Sequence, residues 1–301
     1  MNTIKIHEVG LRDGLQMESE PVPSITKLQW AETMLSSGID IIQLGSFVHP
    51  VKVPQMADTD DLFIELLESG KKPDNVVLSG LVLNEKGMER GMKCGVEMFC
   101  MGVSASDTHS KKNTGMTTKE AQKRIIEMAI EAQSAGKFVQ ASVQSAFGCG
   151  FEGKIDEDIV YKIIDAYLDA GIKNLSLADT AGHANPAQVK RMFHNIRNLD
   201  NEAELACHFH NTYGMGLANV LAAIDSGVTY IETAFGGLGG CPFTKRAAGN
   251  ICTEDLVHTL QRMGIRKDID LKKLISIARY ASGFFVKDLP GYVYKVGPLS
   301  Y

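Results

Sequence analysis

Short apolar runs recur along the chain near residues 4–9, 39–45, 75–81, 96–102, 138–144, 173–178, 204–209 and 228–234. Runs of this length, bounded by glycine, proline or polar residues, read as strands. Between them lie segments with helical spacing of apolar positions, such as Ile25–Ser36, Thr118–Ala135, Asp156–Ala170 and Pro186–Asn198. Several close on a small residue and a glycine: Ser37-Gly38, Ala135-Gly136, Ala170-Gly171 and Ser226-Gly227. Glycine takes the left-handed position that ends a helix at no steric cost. Eight strand–helix alternations predict an α/β fold with a parallel sheet, and eight is the number that closes a (β/α)8 TIM barrel. A doubly wound open sheet is the competitor, but no Gly-x-Gly-x-x-Gly follows the first strand. The third crossover, residues 82–95, leaves the least room for a helix. We expect one catalytic domain over residues 1–301, with the barrel at about 4–235. After it come a mobile Gly-rich loop, a helical stretch over 254–287 and an irregular tail, Leu289–Tyr301.

Composition narrows this picture by exclusion. Hydrophobic residues make up 44% and charged residues 22% of 301 positions, as in ordinary globular proteins. The net charge of −5 offers no general attraction to nucleic acid or to an anionic membrane. No apolar run nears the roughly 18 residues of a membrane span. The start, Met1-Asn2-Thr3, leads straight into a strand pattern without the marks of a signal or transit peptide, so the cytoplasm is the expected location. The six cysteines (94, 100, 149, 207, 241 and 252) include no Cys-x-x-Cys pair and are expected as free thiols.

In such barrels chemistry gathers where strands end, at the C-terminal face. The unusual polar residues fall there in turn. Strand one runs into Arg12-Asp13-Gly14-Leu15-Gln16, and strand two carries Gln43 and ends at Ser46. Strand four ends at Ser104 to Asp107, strand five at Gln144-Ser145, strand six at Asp179-Thr180, and strand seven at His208-Phe209-His210-Asn211. Alternate strand residues face one way, so both imidazoles of His208-x-His210 can reach one ion. Across the closed barrel mouth Asp13 supplies a carboxylate. Imidazoles, a carboxylate and an amide oxygen suit Mg2+ or Mn2+, with Zn2+, Co2+ or Fe2+ also compatible. Arg12 reads either as a surface ion-pair partner or as a fixed cation for a developing enolate oxygen, and its place beside Asp13 favours the second. Cys241 sits in Gly236-Gly-Leu-Gly-Gly-Cys-Pro-Phe243, either a tolerated loop cysteine or a thiol that moves a proton on a closing loop.

Together these residues resemble the 3-hydroxy-3-methylglutaryl-CoA lyase family, within the metal-dependent barrel lyases and isopropylmalate-type synthases. The likeness runs from about Ile4 to Gly264. It rests on Glu8-Val-Gly-Leu-Arg-Asp-Gly-Leu-Gln16, Ser46-Phe-Val-His-Pro50 with Val53-Pro-Gln-Met56, and Ser110-Lys-Lys-Asn113. It continues in Ser176-Leu-Ala-Asp-Thr180, His208-Phe-His-Asn-Thr-Tyr-Gly214, Gly237-Leu-Gly-Gly-Cys-Pro242 and Gly249-Asn250. The resemblance implies a cation held by Asp13, His208, His210 and Asn250, with Asp13 and His208 also among the catalytic residues. It implies an enolate stabilised by Arg12, a thioester carbonyl steadied by Gln16, and proton transfer by Cys241. Asp179 and Thr180 would support the site, and Gln43, Ser46, Ser104, Asn113 and Thr180 would contact the acyl-CoA. A homodimer is the implied assembly, and no nucleic-acid or membrane partner is expected.

The chain also departs from the family pattern. Gln43 stands where the family has a glutamate, Asn211 where an aspartate follows the second histidine, and Met215 where a glutamine follows Tyr-Gly. His183, Lys245 and Arg246 are further departures. Gln43 matters most, because an amide for a carboxylate removes a charge and a base while leaving the metal set intact. The reading is therefore a retro-Claisen cleavage of 3-hydroxy-3-methylglutaryl-CoA, or a close 3-hydroxyacyl-CoA, to a keto acid and acetyl-CoA. A condensing enzyme on another acyl-CoA and a non-catalytic metal-binding barrel are the alternatives.

Overall fold

A computed structural model describes residues 4–240 and 249–299. Eight parallel strands close a barrel in sequence order: β1 Lys5–Glu8, β2 Ile41–Ser46, β3 Val77–Leu81, β4 Met98–Ser104, β5 Phe138–Gln144, β6 Asn174–Asp179, β7 Glu204–Phe209 and β8 Tyr230–Thr233. The ring shuts where Lys5 to Glu8 pair with Tyr230 to Thr233. Every strand position expected from the sequence is occupied by a strand, and the open sheet is excluded.

The alternation along each strand sorts side chains into two environments. In β5, Val139, Ala141 and Val143 face outward into the main core, while Gln140 and Ser142 face the barrel interior. Helices cover the outer face because each carries an apolar stripe that only the sheet can bury. At the N-terminal end of the barrel, Ile41, Met98, Ala206 and Tyr230 form a separate apolar plug with Val77 against it. Above the plug the interior is polar rather than branched-aliphatic, and that polarity opens a cavity toward the C-terminal face.

The short third crossover does hold a helix, Glu85–Lys93, whose start is capped by Asn84 accepting from the Gly87 amide. An extra helix not expected from the sequence, Asp107–Thr114, precedes Thr118–Ser134; Ser106 caps it. The stretch expected to be helical over 254–287 is broken into Thr253–Arg262 and Leu271–Phe285. Arg266 explains the break. Its buried guanidinium donates to the carbonyls of Ile4 and Gly38 and pairs with Asp40 and Asp268, tying the connector to the barrel. The tail is irregular apart from one turn, Val293–Val296. The Leu271–Phe285 helix packs Tyr280 and Phe284 on Trp30, whose ring also meets Phe235, so it braces the loop after β8.

Candidate metal centre

The site begins with a tight turn after β1. The Val9 carbonyl accepts from the amides of Arg12, Asp13 and Gly14, which winds Gly10–Gly14 into one wide turn and turns Arg12 and Asp13 toward the barrel mouth. Glycine is required at position 10: a Cβ there would lie 2.4 Å from the Phe235 ring and 2.6 Å from Glu8 Oε1. Across the mouth, His208 ends β7, and His210 forms a bridge with Asn250, which the chain brings back after the Gly-rich loop.

Donor atoms converge there. His208 Nε2 and His210 Nε2 are 3.0 Å apart, and Asp13 Oδ2 lies 3.6 Å from His210 Nε2 and 3.9 Å from His208 Nε2. Ligands about 2.1 Å from an octahedral ion are separated by about 3.0 Å when adjacent and about 4.2 Å when opposite. The set therefore fits one small divalent cation. Asn250 Nδ2 donates to Asp13 Oδ2 at 2.8 Å and to the Leu238 carbonyl, while its Oδ1 is buried without a partner among the described residues. Turning that amide over would offer its oxygen to the same point. Two facing oxygens are stable only with a cation between them.

The surroundings prepare the ligands. Glu232 Oε2 bonds His208 Nδ1 at 2.9 Å, and its Oε1 accepts from Ser176. A proton held on Nδ1 leaves the Nε2 lone pair for a metal, the usual carboxylate–histidine arrangement. Burial opposes a charged His208 more than any single neighbour favours it, but the Glu232 bond and the charges of Glu232 and Asp13 together raise the imidazole pKa. Burial would raise the Asp13 carboxyl as well; Arg12 and the two imidazoles hold it well below its ordinary value. Gly239 permits the close packing: with φ at +107°, a Cβ there would stand 2.5 Å from Asn250 Nδ2. Arg12 pairs with Asp13 through Nη1 and donates from Nε to Gln43 Oε1.

Below the centre lies a cavity of about 420 Å³. Arg12, Asp13, Gln16, Gln43, Asn113, Thr180, His208 and His210 border it, so most of the sequence-read residues meet at one place. Asp179 does not reach the cavity; its buried carboxylate accepts from the His183 and Ala184 amides and fixes the loop that carries Thr180. The Thr180 hydroxyl accepts from the Ser145 amide.

Ser46 and Ser104, expected at the substrate, do not border the cavity. The Ser46 hydroxyl donates to the Leu81 carbonyl, and Ser104 Oγ accepts from the Ser106 amide, so both serve the backbone at strand ends. Cys241, Lys245 and Arg246 lie outside the described residues. Lys111 pairs with Asp107, and Lys112 lies over the Phe151 ring. His49 borders the cavity, whereas His183 packs beside Gly148 and Tyr213 away from it.

Sequence reasoning missed Glu232, Gly239 and Gln140. Glu232 was open to detection, because a glutamate in the middle of a short apolar strand demands a partner. Gln140 had the Gln-Ala-Ser-Val-Gln alternation of β5 as its signal. Gly239 lies in the Gly-rich motif, but nothing local shows that its backbone must approach Asn250.

Comparison with known proteins follows the same lines. The HMGL-like family model matches residues 3–280. The chain is 34% identical over 287 residues to hydroxymethylglutaryl-CoA lyase YngG of Bacillus subtilis, covering 95% of each chain. It is also 34% identical over 305 residues to (R)-citramalyl-CoA lyase of Chloroflexus aurantiacus, covering 99% of this chain and 96% of that one. Among solved structures, an HMG-CoA lyase of Acinetobacter baumannii in complex with coenzyme A and 3-methylmalate superposes with a TM-score of 0.92 at 38% identity, over 99% of this chain and 96% of that one.

Proposed function

This chain belongs to the HMGL-like family, and from that premise we propose that it is a divalent-metal-dependent carbon–carbon lyase cleaving 3-hydroxy-3-methylglutaryl-CoA or a close 3-hydroxyacyl-CoA. The observation that carries the reading is the convergence of Asp13, His208 and His210, with Asn250 beside them, at the mouth of a cavity that Arg12 also borders. Mg2+ or Mn2+ suits the mixed nitrogen–oxygen set best, and Asp13, His208, His210 and Asn250 would hold it. When bound, the cation acidifies a coordinated hydroxyl and polarises the oxygens next to it.

In the cleavage the C3 hydroxyl loses its proton and the C2–C3 bond breaks. Its electron pair passes to the thioester carbonyl as an enolate, and C2 of that enolate then takes up a proton. Arg12, held by Asp13 and Gln43, presents a fixed positive charge for the enolate oxygen, where preorganised charge works best. Gln16 keeps a buried Oε1 without a partner among the described residues, so its amide is not committed elsewhere. Cys241 is the proposed donor to the nascent acetyl carbon, as the resemblance implies.

Gln43 favours a second substrate reading within the same chemistry. With an amide in place of a carboxylate at position 43, the acyl pocket is less negative than the family pattern, and a different 3-hydroxyacyl-CoA would fill it. The likeness to a citramalyl-CoA lyase points the same way. Among the described residues no helix is long and apolar enough to cross a membrane. A cytoplasmic homodimer completes the proposal, and light scattering reads the assembly directly.

The test is acetyl-CoA release from 3-hydroxy-3-methylglutaryl-CoA and a panel of 3-hydroxyacyl-CoAs, with Mg2+ or Mn2+ supplied. No release from any of them sinks the lyase reading. Release from another member only would locate the effect of Gln43.

A further inference from the structure

The cavity does not end at the metal centre. Its inner wall is made by Gln43, Cys100, Gln140, Ser142, Ser176 and Glu232, all inside the barrel. Barrel interiors are ordinarily filled by branched apolar residues, so a polar layer over an apolar plug calls for a physical reason. Contacts run from the reacting end to the floor. Arg12 donates to Gln43, Gln43 neighbours the Cys100 thiol, and Cys100 donates weakly to Gln140 Oε1 at 3.9 Å. The run stops at Gln140. The residue is 2% exposed, it borders the cavity, and its buried Nε2 donor has no partner among the described residues. A buried donor left unpaired is costly, and such groups in native folds usually await a ligand or water.

Resting on the lyase reading above, we infer that Gln140 makes the cavity floor a subsite for a hydrogen-bond-accepting oxygen on the C3 branch of the acyl chain. Such a floor selects an oxygenated branch over a plain methyl. The charge balance further specifies a neutral oxygen, a hydroxyl or carbonyl. Arg12 is already matched by Asp13, and Glu232 is engaged by His208 and Ser176. Cys100 stays a thiol, pushed up to about 12 by burial and by Glu232. The floor thus has donors but no free cation among the described residues, and a carboxylate buried there would lack a counter-charge. A methyl branch would reach the same space and leave Gln140 Nε2 unpaired. Sites that bond a substrate hydroxyl reject the analogue lacking it far more strongly than apolar pockets discriminate by size.

The experiment compares kcat/KM for 3-hydroxy-3-methylglutaryl-CoA with its hydroxymethyl-branched and carboxymethyl-branched analogues, in the wild type and in Gln140→Leu. We expect the wild type to prefer the hydroxymethyl analogue by about tenfold or more. Gln140→Leu should lose about 10- to 100-fold on that analogue relative to the methyl substrate. Equal loss on both substrates, or no change in their ratio, would overturn the subsite. A wild-type preference for methyl would also overturn it, and that result does not depend on the variant folding. A preference for the carboxymethyl branch would overturn the neutral-oxygen assignment. If the wild type cleaves none of the three, the lyase reading fails. Calorimetry with the intact thioesters then decides the subsite separately, since equal affinity for methyl and hydroxymethyl forms excludes it.

Discussion

Glu8 offers the most exacting test of how the site is held. It is fully buried at the end of β1, and its Oε1 accepts from the Gly10 amide at 2.7 Å and the Phe235 amide at 3.1 Å. Its Oε2 accepts from the Thr253 hydroxyl, which also lies 2.8 Å from the Thr233 hydroxyl. One carboxyl thus joins the turn carrying Arg12 and Asp13, the loop after β8 and the helix that follows it. Burial pushes the carboxyl up to about 8, against the pull of its three hydrogen bonds. The folded state therefore holds this proton more tightly than the unfolded chain. Stability from this group is greatest below the ordinary value of 4.5 and falls as pH rises from there through about 8. The rise caps the effect at about 5 kcal/mol.

Two substitutions separate bonding from charge. Glu8→Gln keeps an acceptor for both amides, and its new donor meets Thr253 once that hydroxyl turns to accept. It should match the wild type near pH 5 and exceed it by a few kcal/mol near pH 9. Glu8→Ala leaves the Gly10 and Phe235 amides unpaired at about 1–3 kcal/mol each, while Thr253 keeps Thr233, so a loss of about 2–6 kcal/mol is expected from a total of about 5–15. Urea titrations across that pH range give the stabilities, and acetyl-CoA release reports whether the Arg12–Asp13 turn keeps its aim. Parallel pH profiles for Glu8→Gln and the wild type would refute the ionisation argument. A cost below about 1 kcal/mol for Glu8→Ala would refute the bonding argument.

Other consequences can be read in the same preparations. Glu232→Gln removes the charge that orients His208 and should weaken Mn2+ binding about 10- to 100-fold by calorimetry, with the fold intact by circular dichroism. Gly239→Ala drives a methyl against Asn250 and demands a left-handed alanine, so Mn2+ affinity should fall with it; unchanged affinity would exclude Asn250 from the centre. Chelation should abolish activity while leaving the far-ultraviolet spectrum unchanged, because the apolar plug and outer core do not depend on the ion. Gln43→Glu restores a carboxylate beside Arg12 and should move kcat/KM toward 3-hydroxy-3-methylglutaryl-CoA relative to other 3-hydroxyacyl-CoAs; an unchanged ratio would remove Gln43 from substrate choice.

The barrel was legible because most strands repeat one rule above the apolar plug, apolar outward and small or polar inward, with glycine closing most of the preceding helices. The convergence of Asp13, His208 and His210 was legible for a related reason, since strand ends in a closed barrel share one face. What the sequence did not convey was finer. Ser46 and Ser104 stand at strand ends like the others, yet a hydroxyl close to a free carbonyl or amide satisfies the backbone first, and neither borders the cavity. The break between Thr253–Arg262 and Leu271–Phe285 depends on Arg266 reaching Ile4 and Asp40, contacts separated by more than two hundred residues. No periodicity encodes such a contact.

Glu232 and Gln140 show where the remaining information lay. Each sits on the inward parity of its strand, where a barrel of this kind would place an aliphatic side chain. Glu232 pairs in register with His208 across β7 and β8, so its role follows once the strand order and parity are known. Gln140 meets its register partner Cys100 only through Oε1, and among the described residues its Nε2 has no partner, so the same parity argument then turns outward from the protein to its substrate. A polar residue inside a barrel either answers another residue or answers a ligand. The register of neighbouring strands decides which, and for Gln140 it leaves the ligand.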